Sequence, residues 1–73
     1  MNKIILYTIA GNKTGRFLEK SLVDLELAYS IETNLELAYE NGVSEIPTLE
    51  INGVRYKFEA AKQWLRSYAR ENK

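Results

Sequence analysis

The Asn-Gly pair at positions 52 and 53 places the strongest constraint on how this chain can fold. It separates two runs of alternating apolar and polar residues, Pro47–Ile51 and Val54–Phe58. A two-residue type I′ turn needs positive φ at both central positions, and Asn followed by Gly meets that need with little strain. The sequence therefore predicts an antiparallel β-hairpin spanning these two runs.

The first half of the chain predicts a strand followed by a helix. Lys3–Ile9 is nearly continuous in hydrophobicity, which is typical of a strand covered on both faces. A loop at Ala10–Lys13 precedes the helix, and either Asn12 or Thr14 is expected to cap its start. The apolar residues of the helix recur at helical spacing and comprise Phe17, Leu18, Leu22 and Leu25.

A second strand and two more helices complete the predicted elements. Leu27–Ile31 has the composition of a short strand, and a short helix comes after it with Thr33 or Asn34 as cap and Asn41-Gly42 as stop. The last helix is predicted from Glu59 to about Arg70. Its apolar stripe consists of Ala60, Ala61, Trp64, Leu65 and Tyr68.

The resulting order is β-α-β-α-β-β-α within one α/β domain covering residues 1–73. The first three elements form a βαβ unit, whose crossover is expected to be right-handed. The hairpin adds two antiparallel strands. We therefore expect a four-stranded mixed sheet with helices on both faces.

Composition argues against several classes of function. Ten basic and ten acidic residues give zero net charge, whereas nucleic-acid-binding domains carry a basic excess. The absence of cysteine and histidine argues against a structural metal site. The sequence shows no leader pattern and no apolar run near the roughly 20 residues that span a bilayer. We expect a cytoplasmic protein without membrane contact.

Three segments resemble the glutaredoxin branch of the thioredoxin superfamily. Ile5-Leu-Tyr-Thr8 resembles the first strand of small glutaredoxins, and Phe58–Leu65 resembles the start of their last helix. Gly42–Gly53, with its Val-x-x-Ile-Pro-Thr-Leu pattern, is similar to the family segment that carries a cis-proline and the following hairpin. The resemblance implies a thioredoxin-like fold of the glutaredoxin type.

The same resemblance implies a cis peptide bond before Pro47. In family members this bend leaves the backbone of the preceding residue, here Ile46, free to pair with an extended peptide or a thiol ligand. The alternative is that Pro47 simply begins an edge strand, where the missing N–H is tolerated.

The chain departs from the family at the redox loop. Glutaredoxins place Cys-x-x-Cys or a single cysteine at the start of the first helix, where the helix dipole lowers the thiol pKa. The corresponding residues here are Asn12, Lys13, Thr14 and Gly15. Asn12 stands at the nucleophile's position and Gly15 at the resolving position, so we expect no thiol–disulfide oxidoreductase activity and no catalytic residue.

The leading hypothesis is a non-catalytic domain that binds another protein through the groove around Ile46, Pro47 and Thr48. Exposed aromatic residues often anchor interfaces, so Tyr39, Tyr56 and Trp64 are candidates, with packing in the core as the alternative role of each. No cofactor is expected under this hypothesis.

The alternative hypothesis is that glutathione or another small anion binds at the start of the first helix. Lys13, Thr14 and Arg16 would contact it together with the Ile46–Thr48 segment, because a helix N-terminus favours anions. Against this, Tyr56–Glu59 replaces the glycine-glycine-acid segment by which many glutaredoxins hold the glutathione carboxylate. Asn12 and Thr14 then serve only as caps, and Lys13 and Arg16 only as surface charges.

Three other functions carry less support. Asn12, Thr14 or Tyr7 could stabilise a bound glutathione thiolate, as in glutathione transferases, but the chain lacks their additional helical domain. Contact with nucleic acid would use the basic residues of the last helix and of the chain end beyond it: Lys62, Arg66, Arg70 and Lys73. The charge pattern also permits a weak homodimer instead of a monomer, since Leu18–Asn52 contains Lys20 as its single cation.

Overall fold

The computed structural model describes residues 2–71, and its elements follow the predicted β-α-β-α-β-β-α order. Lys73 lies outside the described residues, so its predicted role in nucleic-acid contact has no structural counterpart here. The elements are β1 (Ile4–Tyr7), α1 (Lys13–Asp24), β2 (Ser30–Glu32), α2 (Leu35–Glu40), β3 (Thr48–Ile51), β4 (Val54–Lys57) and α3 (Phe58–Glu71).

The four strands form one mixed sheet, as the sequence predicts, and the structure arranges them in the order β2-β1-β3-β4. The β1–β2 pair is parallel, and the β1–β3 and β3–β4 pairs are antiparallel. Tyr7 at the end of β1 lies opposite Thr48 at the start of β3. The β1 and β3 strands are therefore interior, and β2 and β4 form the two edges.

Helices cover both faces of the sheet. Leu6 is fully buried in a cluster that includes Leu18 of α1 and Leu65 of α3. The next residue, Tyr7, packs instead with Ala38 of α2. Because successive side chains of a strand point to opposite faces, α1 and α3 lie on one face and α2 on the other.

The hairpin predicted from Asn52-Gly53 is confirmed. Asn52 has φ of 52° and Gly53 has φ of 85°, the positive values that a type I′ turn requires. The Asn52 side chain also accepts a hydrogen bond from the backbone N–H of Lys3 at 2.9 Å, which ties the turn to the start of β1.

Local hydrogen bonds define the ends of the first two helices. Of the caps considered, Asn12 starts α1 and Asn34 starts α2, each accepting through its side chain from a backbone N–H three residues on. At the end of α1 the N–H of Leu27 bonds to Leu22 O and that of Glu26 to Val23 O, which is a Schellman motif. Glu26 takes φ of 58° in it, a position usually filled by glycine.

The second strand lies further along the chain than predicted. The sequence indicates Leu27–Ile31, whereas β2 spans Ser30–Glu32. The Leu27 N–H is used by the end of α1, and Tyr29 donates its hydroxyl hydrogen to Glu19 of α1 at 3.0 Å. Both residues pack partly buried against the core, so α1 holds this segment and pairing with β1 begins only at Ser30.

Two predicted core positions also differ. Ala60 is exposed, because the buried stripe of α3 passes through Ala61 and Leu65 and leaves position 60 on the outer side. Phe17 is 53% exposed at the margin of the α1–α3 contact, with its ring 5.9 Å from that of Phe58 in an edge-to-face arrangement. The other predicted residues of α1 (Leu18, Leu22 and Leu25) and, in α3, Ala61, Trp64 and Leu65 lie in the core or pack against it, and Tyr68 stacks on Trp64.

No helix within residues 2–71 has both the length and the apolar character needed to cross a membrane.

Candidate functional site

The two segments singled out from the sequence meet at one end of the sheet. Tyr7 and Thr48 are paired, so the carboxyl end of β1 and the start of β3 lie side by side. The first turn of α1 packs on the same end, because Gly15 closely approaches Thr8, the residue after β1. The start of α1 and the Ile46-Pro47 segment therefore flank a common edge of the domain.

The Ile46-Pro47 peptide bond is cis, which confirms the expectation drawn from the resemblance. The alternative, that Pro47 begins an edge strand, is wrong, because β3 starts at Thr48 and is an interior strand. Within residues 2–71, the N–H and C=O groups of Ile46 form no hydrogen bond. Its backbone is thus available to an external partner.

The side chains of this segment differ in accessibility. Pro47 and Thr48 are buried, and the Thr48 hydroxyl donates to the backbone carbonyl of Glu45 at 2.6 Å. Ile46 is only half-buried. Of the three residues predicted to form a docking face, Ile46 therefore offers the side-chain surface, while Pro47 and Thr48 shape the backbone beneath it.

Ile46 lies at one end of a groove of about 400 Å³ beside α2, here called the α2 groove. Its apolar lining is formed by Leu35, Ala38, Tyr39, Val43 and Ile46. Its polar lining is formed by Glu36, Ser44 and Glu45. Sequence reasoning identified Ile46 and Tyr39 separately but did not predict that α2 would join them into one groove.

The α2 groove has a buried floor and exposed walls. Ala38 and Val43 are buried in its floor, where they pack against Tyr7 of the sheet. Leu35 is 48% exposed and Tyr39 is 76% exposed at its walls. A concave apolar surface with polar groups at its margin can receive an apolar side chain of a binding partner.

The start of α1 is occupied by its own side chains. Asn12 Oδ1 accepts a hydrogen bond from the Gly15 N–H at 2.6 Å and another from the Thr14 hydroxyl at 2.9 Å. Lys13 and Arg16 are exposed. Asn12 is thus the helix cap, and the Thr14 hydroxyl holds the Asn12 side chain in place. A ligand at this end of the helix would meet Lys13 and Arg16 beside that cap.

Gly15 fills its position because Thr8 leaves no room for a larger residue. A Cβ atom at Gly15 would overlap the Thr8 hydroxyl oxygen and would lie 2.9 Å from Thr8 Cβ. The Thr8 hydroxyl is itself buried and has no hydrogen-bond partner within residues 2–71. In the observed packing, position 15 is therefore closed to any larger side chain.

The three candidate interface aromatics have different surroundings. Tyr39 is largely exposed in the α2 groove, as an interface residue would be. Trp64 stacks on Tyr68 with ring centroids 5.5 Å apart, and Trp64 and Tyr56 both pack partly buried against the main core. Tyr39 is thus the aromatic that the fold leaves open to a partner.

Titratable groups lie on both faces of the sheet. In the portion of the chain that the structure describes, no group of three or more acidic side chains is arranged to hold a metal ion. On the α1 face, desolvation followed by the Glu19 carboxylate raises the pKa of the Tyr29 phenol. On the α2 face, Glu45 forms an ion pair with Lys57 at 3.1 Å and Glu36 is exposed.

No protein-family model and no curated protein matches this chain.

Proposed function

We propose that this chain is a glutaredoxin-like domain of the thioredoxin fold, without redox activity, that binds another protein through the α2 groove beside the cis-proline. The observation that carries the proposal is the groove itself. It presents a half-buried Ile46 and a largely exposed Tyr39 on a common apolar floor.

The backbone next to the groove supports binding of a peptide segment. The unpaired N–H and C=O groups of Ile46 can bond to an extended partner chain, while the groove receives one of its side chains. Main-chain hydrogen bonds would supply affinity, and the groove would supply selectivity.

The proposal of a binding role also agrees with the chemistry at the start of α1. The sequence contains no cysteine, and Asn12 and Gly15 occupy the positions where the family carries its thiols. Asn12 caps the helix, and Gly15 accommodates Thr8. Both residues thus have structural roles in place of thiol chemistry.

Affinity capture from the source cell tests this function with two matched variants. Ile46→Gln replaces the half-buried apolar side chain of the groove without adding charge. Val23→Gln makes the same kind of change on α1, where Val23 is 57% exposed on the opposite face of the sheet. We expect one protein to be retained by the native chain and by Val23→Gln and to be lost with Ile46→Gln. Equal retention by all three would refute the groove as the binding site.

Binding of a small anion at α1 is a second candidate, favoured by the exposure of Lys13 and Arg16 at a helix N-terminus. Isothermal titration with reduced glutathione tests it. A signal that is lost in Lys13→Gln would support it, and the absence of heat at millimolar glutathione would exclude that ligand.

A further inference from the structure

The residues that form the α2 groove come from the longest part of the chain that lacks a basic residue. Between Lys20 and Arg55 there is no lysine, arginine or histidine, and the acidic residues are Asp24, Glu26, Glu32, Glu36, Glu40, Glu45 and Glu50. The groove is built entirely within this stretch, from residues 35–46. Two cations of β4, Arg55 and Lys57, lie on the same face of the sheet, and they form ion pairs with Glu50 and Glu45. Glu36 has no such ion pair among the described residues, so the groove keeps negative charge although the whole chain is neutral.

Two of these carboxylates line the groove itself. Glu36 lies in the first turn of α2 and is exposed. Glu45 forms its ion pair with Lys57, yet its side chain retains 51% of its accessible surface and still faces solvent. An apolar side chain placed in the groove would therefore have a carboxylate on α2 and another on the loop before Ile46.

The apolar part of the groove requires an apolar occupant. A volume of about 400 Å³ is within the range of roughly 300–1,000 Å³ found for ligand pockets. Leu35, Tyr39 and Ile46 line it with apolar surface, and removing such surface from water favours binding. A purely charged partner would leave this surface in water.

Building on the proposed function, we infer that the partner segment of the α2 groove is cationic: a peptide that inserts one large apolar side chain and carries lysine or arginine on either side of it. Glu36 and Glu45 bind the flanking cations, and the floor of Ala38 and Val43 receives the apolar side chain. Acidic peptides and nucleic acids are rejected, because like charges at an interface cost binding energy and slow association.

Synthetic peptides of defined sequence test this inference by ¹⁵N-¹H NMR titration of the full chain. The probe is Gly-Lys-Lys-Leu-Lys-Lys-Gly. One control peptide replaces each lysine with glutamate, and another replaces the leucine with serine. We expect the probe to shift amide signals of Leu35, Tyr39, Val43 and Ile46, and to bind more weakly as salt is added. The two control peptides should bind at least several-fold more weakly.

Matched variants assign the charge effect to the groove. Glu36→Gln should weaken binding of the probe by about 2- to 5-fold, the effect of one exposed ion pair. Glu36→Asp, which keeps the charge, should restore most of the affinity. Glu71→Gln makes the same change at the end of α3, on the opposite face of the sheet, and should leave affinity unchanged.

The outcomes separate this inference from the function on which it rests. Equal binding of the lysine and glutamate peptides, or of the leucine and serine peptides, would overturn the inference. Signal shifts confined to α1 and α3 would also overturn it, because the peptide would then bind outside the groove. Self-association that blocks the groove would overturn it too, because the occupant would then be the basic residues of α1 and α3 of a second copy. If capture of a partner still depends on Ile46 in these cases, the docking function stands and only the chemistry of the partner is wrong.

Discussion

Replacing Gly15 with alanine tests why this position carries no side chain. The new Cβ would overlap the Thr8 hydroxyl oxygen and lie 3.0 Å from Asn12 Oδ1, the atom that caps α1. Overpacking of a buried site costs about 1–3 kcal/mol, and displacing the cap costs about 1 kcal/mol more. The higher helix propensity of alanine returns at most about 1 kcal/mol. We expect Gly15→Ala to lower the free energy of unfolding by about 2 kcal/mol.

A double-mutant cycle with Thr8→Ala identifies the contact responsible. Thr8→Ala alone should change stability little, because the hydroxyl that it removes is buried without a hydrogen-bond partner within residues 2–71. In the Thr8→Ala background the cost of Gly15→Ala should fall by at least about 1 kcal/mol, as expected for residues in direct contact. The contact between the two Cβ positions, 2.9 Å apart, remains and keeps the recovery partial.

Urea denaturation followed by Trp64 fluorescence and by far-ultraviolet circular dichroism measures all four corners of the cycle. With a slope near 1 kcal/mol per M for a domain of this size, the midpoint of Gly15→Ala should fall by about 2 M. A Gly15→Ala protein as stable as the native chain would refute the reasoning, because helix propensity would then outweigh the steric clash. A cost that Thr8→Ala leaves unchanged would refute the role of Thr8.

Three further predictions concern single residues. Glu26→Gly should raise the free energy of unfolding by about 1 kcal/mol in a thermal melt, because glycine takes the left-handed conformation at φ of 58° without strain; unchanged stability would contradict this. Asn12→Ala should lower it by about 1 kcal/mol through loss of the cap on the Gly15 N–H, with Asn12→Ser as the variant that retains capping. Folding raises the pKa of the Tyr29 phenol above 10.0, its value in the unfolded chain. The protonated phenol therefore stabilises the folded state below pH 10.0, and this stabilisation is lost as the pH rises above that value. The stability of the native chain relative to Tyr29→Phe should therefore decrease between pH 9 and pH 11 in urea titrations, and a pH-independent difference would contradict the assignment.

The features that the sequence predicted correctly are determined by neighbouring residues. The hairpin depends on the adjacent residues Asn52 and Gly53. The start of α2 depends on its cap, Asn34, and its end depends on Gly42, which has a positive φ. The position of β2 was predicted too early because Leu27 and Tyr29 have strand-like side chains. Their contacts with α1, distant along the chain, instead hold that segment outside the sheet.

The candidate site shows the same division between local and distant contacts. The cis bond before Pro47 was expected only from the resemblance of its neighbouring residues to a known family, whereas the α2 groove depends on how α2 lies over Tyr7 and Val43. The requirement for glycine at position 15 could not be read from the sequence, because it arises from a contact with Thr8, the residue after β1. The spacing of apolar residues predicts which of them share a face of a helix or strand. It does not show which of those residues the fold leaves exposed.

The charged residues of β4 have a consequence for how copies of this chain meet one another. As an edge strand, β4 presents unpaired backbone groups that a second copy could extend into a larger sheet. Arg55 and Lys57 lie on one face of that strand, and their ion pairs with Glu50 and Glu45 turn them back toward their own domain. A second β4 strand pairing with this edge would bring like cations together and break those ion pairs. The charges on β4 therefore disfavour edge-to-edge pairing of two copies.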